Sequence, residues 1–308
     1  MTITLSAREL AAAASGRAAI ADVAVAPDGA TFAACLGRTL VIADWTSGRE
    51  IARRDLPATV EAIAFAPDGL RIAAACADGD VALLEVPALA ELGRLSSDNG
   101  GYRDLAWSTD GACLAAGHYE PLVSVFELAG TAAPTTLDPQ IFSDEGRTAV
   151  AFAPDGKTLA STAFNAILSW SLPGMKKRKL ALREHAFLLD LAFAGDGHAL
   201  AGIAETEGRM ALHLWTGDAA KKLGKIDLPG FSQRLAWSAD GTLVAVTERD
   251  TPGLSLWDPA ALVRSDASVQ PVEMAMSAVA AHPRRLAFVA GSEDGRLVIW
   301  ERQDTEAA

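Results

Sequence analysis

Three carboxylates, Asp22, Asp104 and Asp190, stand six residues ahead of Asp28, Asp110 and Asp196, each of which is followed by Gly. Acidic side chains that share one place in a repeated unit can approach one another, and converging carboxylates hold a hard cation such as calcium or magnesium. The competing role is structural, with each carboxylate accepting backbone N–H groups of its own unit. The five histidines, His118, His185, His198, His213 and His282, fall at different places relative to the same turns and define no shared metal centre. Cys35, Cys76 and Cys113 sit in the apolar runs FAACL, AAACA and ACLAA and read as small buried thiols of a reducing compartment. Cys35 and Cys76 occupy nearly equivalent places, but no histidine joins them to complete a metal set. There is no Gly-x-Ser-x-Gly elbow, no phosphate-binding loop and no Cys-x-x-Cys. The reading therefore names no catalytic residue and no cofactor.

The elements that must carry these residues are set by a repeat. Pro-Asp-Gly and its near-copies place Asp at 28, 68, 110, 155, 196 and 240, and a degraded seventh copy is His282-Pro283-Arg284. The steps of 40, 42, 45, 41 and 44 residues match a radial β-repeat, in which one blade of four short strands consumes about forty residues. Ahead of each turn lies an apolar strand a (DVAVAPDG, AIAFAPDG, DLAWSTDG, AVAFAPDG, DLAFAGDG, RLAWSADG, AVAAHPRR). Asp-Gly supplies the tight hairpin that leads into strand b, which is rich in small residues as befits a strand covered on both faces. Strand c follows (LVIADW, VALLEV, VSVFEL, ILSWSL, ALHLWT, LSLWDP, LVIWER), and then a polar, variable strand d. Charges on strand d, among them Lys176-Lys177-Arg178-Lys179, suit an outer edge that must resist edge-to-edge pairing.

These units predict an all-β fold: one seven-bladed β-propeller of four-stranded antiparallel blades spanning 1–308. Blades are expected to start near 20, 60, 103, 148, 188, 232 and 277. The last unit supplies only strands a, b and c, so the β-branched N-terminal segment, residues 1–7, is expected to complete it as strand d and close the ring. The Ala-rich stretch from Glu9 to Ala14 is expected to form one short helical turn.

Leu256-Trp257-Asp258, the Ala-Phe-x-Pro-Asp-Gly turns and the Asp-Gly-x-Leu-Val-Ile-Trp string at 294–300 resemble the WD40-repeat propellers, in a divergent form. The Trp place on strand c is filled in order by Ala43, Leu84, Phe126, Trp170, Trp215, Trp257 and Trp300. Only Glu184-His185 resembles the family's Gly-His dipeptide, so no blade carries the family's complete His-Ser-Asp-Trp network. The resemblance implies a non-catalytic platform for protein interaction, with d–a and b–c loops sharing the binding face.

On that face the expected partner-binding residues are Tyr102, Arg103, Tyr119, Phe164, Phe187, Arg209, Phe231, Arg234 and Arg249, since aromatic and Arg side chains dominate interface hot spots. The alternative readings are a ligand- or metal-binding accessory protein and a hydrolase-type enzyme using the channel mouth. With 27 Lys plus Arg against 39 Asp plus Glu, the net charge of −12 repels phosphate backbones and anionic lipid. Neither nucleic acid nor membrane is expected as a partner; the expected partner is a protein or peptide, bound by a monomer. The N-terminus lacks the basic start and apolar stretch of a signal peptide, and the expected location is the cytoplasm.

Overall fold

The repeat folds as its turns dictate. In the computed structural model, the described residues are 3–10, 18–97, 99–130, 133–138, 148–172, 174, 176–181, 186–249 and 253–302. In six blades the turn Asp uses Oδ1 to accept the N–H two residues on, as Asp28 does from Ala30 (2.8 Å) and Asp240 from Thr242 (3.1 Å). The Gly between them takes a left-handed φ, from 67° at Gly156 to 75° at Gly197, which a side chain resists. His282 performs the same office in the seventh turn, its Nδ1 accepting the Arg284 N–H at 3.1 Å.

Each hairpin extends into a four-stranded antiparallel blade, such as Ile20–Val25, Thr31–Leu36, Thr39–Asp44 and Glu50–Asp55 in blade 1. The last blade has five strands. Met276–Ala281, Ala287–Ser292 and Leu297–Arg302 are joined by the N-terminal strand Thr4–Leu10, which runs antiparallel to Leu297–Arg302 with Leu5 opposite Arg302 and Leu10 opposite Leu297. Ser268–Val269 then lies parallel along its outer side. The closing strand is thus clasped on both edges, and Gln270 fastens it further by accepting the Ala7 N–H through Oε1 at 2.9 Å.

The strand reaches beyond the expected residues 1–7. Glu9 and Leu10, expected to begin a helical turn, belong to it instead, because Leu10 packs into the core beside Trp45 and Leu297. Residues 11–14 of that expected turn, and Glu184-His185, lie outside the described residues.

Among the described residues the core is divided. Apolar side chains gather into seven clusters, one at each junction between neighbouring blades, including the junction of blade 7 with blade 1 around Ile20, Phe32, Trp45, Val289 and Ile299. Strand b fills these junctions with small residues because the next blade lies close. A Cβ on Gly117 would stand 2.0 Å from the Thr148 carbonyl oxygen. Strand a carries Ala four residues before every turn position: Ala24, Ala64, Ala106, Ala151, Ala192, Ala236 and Ala280. Each packs into the junction with the following blade, so a small side chain there lets neighbouring inner strands approach.

Candidate functional site

The three aspartates singled out in the sequence meet at the axis, and each ties two blades together. The Val23 N–H donates to Asp22 Oδ1 and the Ile63 N–H of blade 2 to Asp22 Oδ2, both at 2.9 Å. Asp104 takes the Leu105 N–H at 3.0 Å and the Val150 N–H of blade 4 at 2.8 Å. Asp190 takes the Leu191 N–H at 3.0 Å and the Leu235 N–H of blade 6 at 2.8 Å. Two oxygens per carboxylate thus cover the equivalent inner-edge amides of six blades. Only Val279, in blade 7, has no aspartate to serve it, since Ala278 and Arg234 fill the corresponding places.

Arg234 occupies the aspartate position of blade 6, and its Nη1 lies 3.7 Å from Asp190 Oδ1. Burial works against its charge, but Asp190, Asp22 and Asp104 outweigh that and hold the guanidinium more firmly protonated than usual. The chain therefore supplies its own cation to the three carboxylates. Their oxygens are already committed to backbone N–H groups, and among the described residues no cluster of His, Cys, Asp or Glu is arranged as a metal site. The structural role is the one the geometry supports.

Burial dominates the acidity of this layer. It pushes Asp190 up to about 7 against the pull of Arg234 and Asp104 up to about 6, and it raises Asp22 as well. A carboxyl group that holds its proton more tightly folded than unfolded gives stability that is full below its unfolded pKa, declines above it and is gone once pH has risen through its folded pKa. Compared with an Asp190→Asn variant unfolded in parallel, the wild type should therefore gain about 1 kcal/mol between pH 8 and pH 6.5. A difference between the two proteins that stays constant over this interval would contradict the buried, proton-binding state of Asp190.

Just above lies a second layer. A β-bulge precedes the aspartate position in five blades, leaving residues such as Glu61, Arg103 and Ser277 out of the ladder. Arg103 Nη1 meets Glu61 Oε2 at 2.9 Å across blades 2 and 3, and Ser277 Oγ donates to the Ile20 carbonyl at 2.6 Å across blades 7 and 1. The cavity left at the axis, bounded by Arg103, Asp104, Thr148, Leu189, Gln233 and Arg234, measures about 10 Å3. Small-molecule sites occupy roughly 300 Å3 or more, so this cavity beside Arg234 is too small to be one.

The residues expected on the d–a and b–c face separate into three groups. Two are inside. Tyr102 is fully buried, its ring against His118 and Phe126 and its hydroxyl hydrogen-bonded to Ser97 Oγ at 2.9 Å. Arg234 points to the axis as described. Both positions were readable from the repeat. Arg234 stands six residues before Asp240, as the aspartates do before their turns, and Tyr102 shares its place with the buried Ile20 and Val60. Arg103, Phe164, Phe187 and Phe231 are partly covered; Phe164 and Phe187 meet edge to face at 5.1 Å across blades 4 and 5. Tyr119, Arg209 and Arg249 are exposed, Tyr119 to 46%.

The cysteines fit no metal role either. Cys35 and Cys76 are buried, with their thiols held protonated by burial, Cys76 at about 11; Cys113 is only partly covered.

No family model matches the chain. A WD repeat-containing protein 1 from Bos taurus is 34% identical over 110 residues, which is 35% of this chain and 18% of that relative. The chain thus matches under a fifth of the relative's length, and the likeness bears on repeat type. Seven antiparallel blades, Asp-Gly hairpins in six of them and this partial likeness to a WD-repeat protein support a propeller of the WD40-repeat type.

Proposed function

We propose that the protein is a non-catalytic interaction scaffold whose protein partner docks on the face built by the d–a and b–c loops. The observation that carries this reading is the contrast between a cavity of about 10 Å3 beside the buried Arg234 and an exposed aromatic and basic rim. The axial cavity has no room for a substrate, whereas Tyr119, Arg209 and Arg249 stand outward on one face. Tyr119 lies over the backbone of Gly101, where a Cβ would meet its ring at 3.4 Å, so its aromatic surface is presented from a fixed position. Arg249 is oriented by Glu293 of blade 7 at 3.1 Å. Rigid aromatic and Arg side chains give large contact area at small entropic cost.

The test is a triple variant, Tyr119→Ala, Arg209→Ala and Arg249→Ala. None of the three fills a blade junction, so its melting temperature should match the wild type. Partner protein captured by the wild type from its native host should bind the variant about tenfold more weakly or worse. Equal affinity for both would remove this face from the proposal.

A further inference from the structure

The face opposite the proposed docking rim carries a groove of about 820 Å3 between blades 5 and 6. Its floor includes the buried Leu214, and its walls are Leu223 and Leu262, exposed to 50% and 39%. Leu262 is unusual in two ways. It holds a left-handed φ of 59°, a conformation that costs a side-chain-bearing residue about 1 kcal/mol. Blade 1 uses Gly48 in the corresponding turn, and blade 2 uses Leu89, which also takes a left-handed φ but is 1% exposed and fills the junction of blades 1 and 2. Leu262 instead reaches across to lie over Gly224 of blade 5, and leaves much of its apolar surface in water.

The rim of this groove is acidic. Asp196, Asp240 and Asp258 line it, and no Lys or Arg does among the described residues. Each spends Oδ1 on its own turn: Asp196 on His198, Asp240 on Ser238 and Thr242, and Asp258 on the Ala260 and Ala261 N–H groups. Their Oδ2 atoms accept no hydrogen bond among the described residues, and the one cationic partner at the rim is the titratable ring of His198 beside Asp196. Apolar walls under an acidic rim select a ligand that is aliphatic where it enters and cationic where it leaves.

We propose that this groove binds a short extended protein segment in which an aliphatic side chain is flanked by Lys or Arg. The aliphatic group seats between Leu223 and Leu262, and the flanking cations meet Asp196 on one side and Asp258 on the other. This second site lies on the face away from Tyr119, so a partner on either face leaves the other free.

The probe is a fluorescein-labelled Arg-Leu-Lys-Leu-Arg peptide, with Glu-Leu-Glu-Leu-Glu as its control, titrated by anisotropy at low salt. Binding of the basic peptide, about tenfold weaker for an Asp196→Asn, Asp258→Asn double variant and for Leu223→Lys, supports the proposal. Asn preserves the turn-capping acceptor and Leu223 is on an outer strand, so both variants should melt with the wild type. Leu262→Gly relaxes the backbone and should weaken binding while leaving the fold intact. Equal binding of both peptides, no binding of the basic peptide, or affinities unchanged in the variants would overturn it. The exposed run Lys176-Lys177-Arg178-Lys179 of a second copy is the rival occupant. Self-association by sedimentation that the Asp196→Asn, Asp258→Asn variant abolishes would overturn the peptide assignment in its favour.

Discussion

Replacing Arg234 by Leu is expected to destabilise the protein by about 4 kcal/mol at pH 8, the cost of stripping a buried charge cluster of its shared cation. Asp190 lies 3.7 Å from the guanidinium, and Asp22 and Asp104 feel its field. Without it the three carboxylates keep their backbone N–H partners but lose the charge that made ionisation tolerable. Their folded-state proton affinities, already raised by burial, rise further. The folded state then binds more protons than the unfolded one across a wider interval, so stability returns as pH falls. Denaturant unfolding should show a smaller deficit at pH 6 than at pH 8. Arg234→Lys should retain part of the stability, and Asp190→Asn added to Arg234→Leu should restore part of it. A deficit of equal size at both pH values would mean that Arg234 acts by packing rather than by charge.

Removing residues 1–10 should lower the melting temperature by about 10 °C, because the loss is distributed over a whole strand rather than one side chain. Six residue pairs join Leu5–Leu10 to Leu297–Arg302, and the Ser268 and Gln270 N–H groups donate to the Ile3 and Leu5 carbonyls at 2.7 and 2.9 Å. Leu5 is fully buried beside Phe288, Val298 and Trp300, so Leu5→Ala alone should cost about 3 kcal/mol. Deletion also bares the edge of Leu297–Arg302, and the truncated chain should associate through it at high concentration. Scanning calorimetry with sedimentation would measure both effects. A truncated chain that melts with the wild type and stays monomeric would show that the ring closes by side-chain packing alone.

The architecture was legible because it rests on local chemistry repeated at fixed intervals. An Asp-Gly hairpin is specified by two residues, and six copies of it with the degraded seventh at His282-Pro283-Arg284 fix blade number and strand order before any long-range contact is considered. The closing strand was legible by subtraction, although its extension to Leu10 depends on a contact with Trp45 that no local pattern announces.

The site was less legible, since side-chain direction depends on the bulge that precedes each aspartate. Loop position alone sent Tyr102 and Arg234 outward; the repeat's own phase sends them inward, Tyr102 to a blade junction and Arg234 to the axis. The opposite groove had no sequence signature at all. Leu223 and Leu262 come from different blades, and only the crossing of Leu262 over Gly224 brings them together.

The pairing of blades by Asp22, Asp104 and Asp190 makes the ring a matter of parity. Each carboxylate tiles two spokes, so seven spokes leave one over, and the leftover is blade 7, where the N-terminal strand pairs with Leu297–Arg302. Excising a whole doublet, such as blades 3 and 4, removes one aspartate and the two amides it serves. Excising any single spoke but blade 7 strands either an amide without its acid or an acid with half its work undone. Blade-deletion experiments on this scaffold should therefore proceed by twos.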